Sequence, residues 1–174
     1  KPVPEIDRLY YEKVLIAAET DDAPAKEGCD ILLDTRDSGE GCSYFRWDYT
    51  ETWEISLPYD VTNKICWVTN NSSQILLKNT SHLSQNSISA YPVTFISNET
   101  DRLDNRYSIL VRQYSISEQE YNYWNRMQTM SEQTGTLYDV MPSSVHGNMN
   151  CIEDPSEKVL GFCSVSAKRT KRIY

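Results

Sequence analysis

The chain has 174 residues, enough to bury one sizeable core, and is predicted to form a single domain over residues 1–174. Its formal net charge of -8 opposes attraction to phosphate backbones and excludes nucleic acid as a partner. No apolar run approaches the roughly 20 residues of a membrane-crossing helix, and a composition with 12 Tyr and 4 Trp points to a β-rich extracellular or surface protein.

Residues 1–8, with Pro2 and Pro4, are predicted to be an extended lead-in. Leu9 to Ala18 reads as a strand, and Thr20 to Gly28 (TDDAPAKEG) as a polar loop whose Asp21 and Asp22 fall short of the spaced oxygens a calcium loop needs. Asp30 to Asp34 is a short strand and Thr35 to Gly41 a turn. The stretch from Cys42 to Pro58 then alternates. Phe45, Trp47, Tyr49, Trp53, Ile55 and Leu57 hold odd positions, while Arg46, Asp48, Thr50, Thr52, Glu54 and Ser56 hold even ones. Side chains of a strand point alternately to opposite faces, so this period predicts one long strand with a buried and a wet face. Glu51 stands on the apolar side, and a bulge or a bend between sheets is expected there.

Lys64 to Thr69 and Gln74 to Lys78 are two further strands joined by a turn at Asn70 to Ser73. Ala90 to Ser97 returns to strand, with Pro92 marking an edge or an entry point, and Arg106 to Ser115 reads as an interior strand. A helix follows over about residues 117–134. Ser117 and Glu120 form a capping box, Tyr121, Trp124, Met127 and Met130 draw one apolar stripe, and Gly135 supplies the stop. Thr136 to Val140 is short and extended, Pro142 to Asn150 is turn-rich, and Val159 to Ser166 reads as a strand with Gly161 at a bulge or a close backbone approach. The closing KRTKRIY either guards a terminal edge strand or attracts acidic glycans or lipid headgroups, with the guard the simpler reading. These elements predict a mainly β fold, an antiparallel β-sandwich or barrel-like domain with one packed α-helix.

The residues carry no recognisable catalytic motif. His82 and His146 belong to no nucleophile signature, although Asp139, Ser143 and Ser144 are sequence neighbours of His146. Two histidines and no Cys-x-x-Cys give zinc no ligand set, and the scattered glycines form no phosphate loop, so neither metal nor cofactor is expected. Asp48, Glu51 and Glu54, beside Trp47 and Trp53, are the place to look for a carboxylate pair of the kind that cleaves glycosides. Cys29, Cys42, Cys66, Cys151 and Cys163 suit disulfides better than metal; a Cys29–Cys42 bridge across a hairpin competes with buried reduced thiols. Trp53, Trp67 and Tyr91 are the candidate contact residues, because a flat ring offers a large contact area at low entropic cost.

Five segments taken together resemble a known family: YFRWDYTETWEI at 44–55, CW at 66–67, RYSILVRQYSISEQEYNYW at 106–124, TGTLYDVMPSSVHGNMN at 134–150 and VLGFCSVSAKRTKRIY at 159–174. The chain resembles the C-terminal part of Bacteroidota outer-membrane lipoproteins described only as a domain of unknown function. The resemblance implies export, lipidation on an upstream cysteine, and a place beside TonB-dependent (Sus-type) transporters that import glycans or peptides. It carries over no catalytic residue. In a bacterial setting the sequons at Asn70, Asn71, Asn79 and Asn98 mark only polar loops. The expected function is therefore a non-catalytic accessory or binding module at the cell surface, partnered by such a transporter and associated surface lipoproteins. A surface hydrolase of glycan or peptide, and a structural scaffold subunit, are the competing expectations.

Overall fold

The computed structural model describes residues 2–16, 26–36, 41–57, 64–83, 87–133 and 144–174. Among the described residues eight strands form in chain order: β1 (Ile6–Ile16), β2 (Lys26–Arg36), β3 (Tyr44–Ser56), β4 (Ile65–Asn71), β5 (Leu76–Asn79), β6 (Ser87–Ser97), β7 (Tyr107–Ser115) and β8 (Ala167–Ile173). A 3-10 turn at Asp101–Leu103 precedes β7, and the helix α1 (Glu118–Gln133) follows it. All pairings are antiparallel. One sheet has the order β1-β2-β6; the other runs β4-β3-β7-β8, with β5 on the β4 side of β3. The two sheets stay separate and face each other as a sandwich, not a closed barrel.

Strand β3 is the spine of the larger sheet because its alternation is complete. Phe45, Trp47, Tyr49, Glu51 and Trp53 are all buried, while the residues between them are partly exposed. Together with Ile109 and Val111 of β7, its rings meet Ile6, Leu9, Ile31, Leu33, Ile88, Val93 and Ile96 from the opposite sheet. Burying such side chains at about 25 cal/mol per Å² of apolar surface is the main force holding the layers together. Trp47 sits at the centre, its ring 4.4 Å from Tyr91 and 5.7 Å from Phe45.

A polar thread crosses this interior. The Trp47 indole N–H donates to Gln113 Oε1 at 2.9 Å, and the Gln113 amide donates to the Pro4 carbonyl at 2.8 Å and to Thr35 Oγ1 at 3.1 Å. Thr35 in turn donates to the Glu5 carbonyl at 2.9 Å. Gln113 is wholly buried, and every polar atom of its amide that the thread needs is engaged, which is the condition for burying it without penalty.

Several expectations shift. The lead-in predicted over 1–8 ends at Pro4 or Glu5, since β1 already starts at Ile6, where Lys171 Nζ donates to the Ile6 and Asp7 carbonyls and ties β1 to β8. No bulge occurs at Glu51, because β3 pairs in unbroken register with both β4 and β7. The register breaks fall instead in the smaller sheet: one on β1 between Ile6 and Arg8, and two on β6, an edge strand that carries Pro92, where Asp34 Oδ1 accepts the Ala90 N–H at 2.8 Å. Residues 159–166 are not a strand. That segment makes only an isolated bridge, Leu160 to His146, and the ladder begins at Ala167, where alternation with β7 resumes. Gly161, at φ +118, does mark a close approach: a Cβ on Gly147 would lie 1.5 Å from the Gly161 carbonyl oxygen.

Helix α1 starts with half of its predicted box. Ser117 Oγ accepts the Glu120 N–H at 3.1 Å, but the Glu120 carboxylate turns away to accept the Trp124 indole N–H and the Ser166 hydroxyl. The helix packs on the outer face of the larger sheet, where Arg46 lies between the rings of Tyr114 and Trp124 and Tyr44 meets Tyr121. The expected loop around Asp21 and Asp22, the stop at Gly135 and the extended run at Thr136 to Val140 lie outside the described residues.

Candidate functional site

The three β3 carboxylates divide between the two faces. Glu51 points inward and is 1% exposed; Tyr107 donates to its Oε2 at 3.0 Å, Asn70 donates to Oε1 at 3.3 Å, and Arg102 completes an ion pair at 3.3 Å. The Arg102 guanidinium also lies 5.5 Å from the centre of the Trp53 ring, and the buried Trp53 indole N–H has no hydrogen-bond partner among the described residues. Asp48 and Glu54 point outward, paired with Arg112 and Arg106. Six residues of strand separate them by roughly 20 Å, far beyond the 5–9.5 Å of a glycosidase pair. Each carboxylate thus serves a separate ion pair.

This burial marks two tyrosines. Loss of water, then the Glu51 charge and hydrogen bond, hold the Tyr107 phenol far above its usual range, and burial pushes Tyr91 up to about 12. A raised folded-state pKa favours the neutral phenol in the fold, so this stability is fully present below the unfolded value of about 10. It is lost as pH rises past that value. Urea midpoints measured from about pH 8 to about pH 11 should therefore fall at the alkaline end. Tyr107→Phe should flatten the decline, and an unchanged slope would show that Tyr107 ionises as easily folded as unfolded.

Of the three candidate contact residues, Trp67 alone stands in solvent, 54% exposed beside Ile65 at 57%. Both face outward from β4, across from Glu54 and Ser56, in a patch continued by the Thr52–Thr69 hydroxyl pair at 3.2 Å and the Thr50–Asn71 bond at 2.8 Å. Trp53 is 8% exposed, because its odd position in β3 turns it to the inner face. Tyr91 is half-buried against Trp47, and its hydroxyl donates to the Leu77 carbonyl at 3.2 Å. The larger sheet's outer face is thus capped by α1 at the Arg46 end and open at the Trp67 end.

Other sequence candidates do not converge. His82 and His146 are exposed, Ser144 lies two residues from His146, and Asp139 and Ser143 are outside the described residues. Cys29 and Cys42 form no disulfide: Cys29 sits in β2 opposite Lys13 and Ile96, while the Cys42 thiol meets Ser115 Oγ at 3.1 Å in the core. All five cysteines are thiols. Among the described residues no cluster of His, Cys, Asp and Glu is placed to hold a metal ion. A surface groove of about 460 Å³ runs between α1 and the approach to β5 and is lined by Ser73, Gln74, Ile75, Leu76, Gln128 and Ser131. Its polar groups are uncharged, and it can offer hydrogen bonds but no acid or base.

The sequence singled out Glu51 but not its partners. A carboxylate in the apolar phase of a strand signals a buried ion pair, yet nothing local identifies Arg102 and Tyr107, more than fifty residues away, as its companions. Ile65 was equally invisible as part of a surface patch, since its exposure follows from β4 lying at the sheet's edge.

The family model described as Domain of unknown function (DUF4249) matches residues 1–172. No curated protein and no solved structure matches the chain.

Proposed function

The chain belongs to that family of unknown function, and from this premise we propose that it is a non-catalytic binding module of the bacterial outer membrane. In this reading it is anchored through an upstream lipid, in a member of the Bacteroidota. There it docks against a TonB-dependent transporter and associated surface lipoproteins and assists uptake of a glycan or peptide. The five segments resembling the lipoprotein family support the setting. The single observation carrying the binding role is the exposed apolar patch of Trp67 and Ile65 on the outer face of the larger sheet. Aromatic residues are enriched in the cores of protein interfaces, where they exchange a large area of water for packing. The β3 carboxylates, each held in its own ion pair, favour binding over hydrolysis.

The test is co-purification from detergent-solubilised outer membranes. The native chain should bring down a transporter barrel, and recovery of the chain alone would remove the proposal. Trp67→Ala should reduce that recovery while lowering stability by less than about 1 kcal/mol, as expected for an exposed side chain. A variant that unfolds but still co-purifies in its folded fraction would assign Trp67 to stability and not to docking.

A further inference from the structure

Strand β4 is the one strand of the molecule whose outer edge is left both open and unguarded among the described residues. It pairs with β3 alone. The Leu57 N–H donates to the Lys64 carbonyl at 2.8 Å, and the Ser72 N–H donates to the Tyr49 carbonyl at 2.9 Å, which fixes the parity of the ladder. In an antiparallel pair, alternate residues direct both backbone groups to the same neighbour. Cys66, Val68 and Asn70 therefore bond β3, and Ile65, Trp67, Thr69 and Asn71 direct their N–H and C=O groups away from it.

Such an edge templates another strand unless charge, proline or a bulge blocks it. Every other edge is blocked. β8 carries Lys168, Arg169, Lys171 and Arg172; β1 carries Asp7, Arg8, Glu12 and Lys13; β6 has Pro92 and two register breaks; β5 is four residues long and holds Lys78. Strand β4, Ile-Cys-Trp-Val-Thr-Asn-Asn, has no charge, no proline and an unbroken register.

We propose that β4 pairs antiparallel with β4 of a second copy, joining two larger sheets across a two-fold axis at Val68. Side-chain phase allows full overlap of the seven residues in this register. Trp67 of one copy then lies beside Thr69 of the other, Ile65 beside Asn71, and Cys66 beside Asn70. These are aromatic, β-branched and amide neighbours with no like charges opposed, the kind of cross-strand pairs that stabilise a ladder. A charged or proline-bearing partner strand would fit less well. Because one strand pair buries less than a standard interface, the association is reversible. With a net charge of -8 on each copy and no charge on the joining strand, added salt strengthens it by screening repulsion.

Sedimentation of the chain across concentration and salt, with two variants, tests this. The native chain should pass from monomer to dimer as concentration rises, more readily at high salt. Thr69→Pro removes an outward N–H that β3 does not use, so it should keep the fold while raising the dimer dissociation constant about tenfold or more. Val68→Cys places two thiols face to face in a closely spaced pair, and mild oxidation should link them to each other, as mapped by peptide mass. A chain monomeric at every concentration, a dimer indifferent to Thr69→Pro, or introduced thiols that link only to native cysteines would each overturn the pairing. Dimers that dissociate with salt would assign the contact to ion pairs elsewhere and overturn it as well.

Discussion

Replacing Trp47 with alanine is expected to bring the domain close to unfolding. The side chain is 1% exposed, stacks on Phe45 and Tyr91, and gives its indole N–H to Gln113. Removing a large buried aromatic costs about 3–5 kcal/mol. The orphaned Gln113 oxygen adds about 1–3 kcal/mol for a buried acceptor left without its donor. Against the roughly 5–15 kcal/mol that holds a domain together, that is a large share. Trp47→Phe should cost clearly less, because it keeps a ring in the same slot and loses the hydrogen bond and only part of the buried ring. Denaturant midpoints followed by circular dichroism make the comparison, with Trp67→Ala as the exposed control. If Trp47→Ala and Trp67→Ala shift the midpoint equally, Trp47 is not the centre of the core.

The second large effect is expected at Glu51. Glu51→Ala strips the Arg102 guanidinium and the Tyr107 hydroxyl of their shared acceptor inside the sandwich. Breaking a buried ion pair costs about 3–5 kcal/mol, and the lower end applies here because the Arg102 side chain is 32% exposed and water can reach it. Glu54→Ala is the contrast. Its partner Arg106 is 79% exposed, so the loss should stay within about 1 kcal/mol. A double-mutant cycle with Arg102→Ala should return a coupling well above zero for Glu51 and near zero for the pair Glu54 and Arg106. Equal costs for Glu51→Ala and Glu54→Ala would place Glu51 in water.

What the sequence made legible was whatever repeats at short range. Odd-numbered rings in β3 announced a two-layered β fold, because a period of two has one structural meaning, and Ser117 announced the start of α1, because a cap acts over three residues. Charge, by contrast, misled about geometry. Glu51 suggested a kink, whereas its strand stays in register and the carboxylate is met by residues from the 3-10 turn, β4 and β7. Trp53 and Tyr91 looked like contact residues by type. Their burial depended on which phase of a strand each occupied and on how closely the second sheet covered it. The apolar run at 159–166 failed for a related reason: composition favours a strand there, but the pairing partner on β7 is taken by the cationic residues just beyond it.

The bond from the Gln113 amide to the Pro4 carbonyl spans 109 positions of sequence. The hydrophobic interior therefore closes dry only once the segment ahead of β1 and strand β7 have met. In refolding experiments the docking of residues 2–5 should come late, since closing so long a loop is slow.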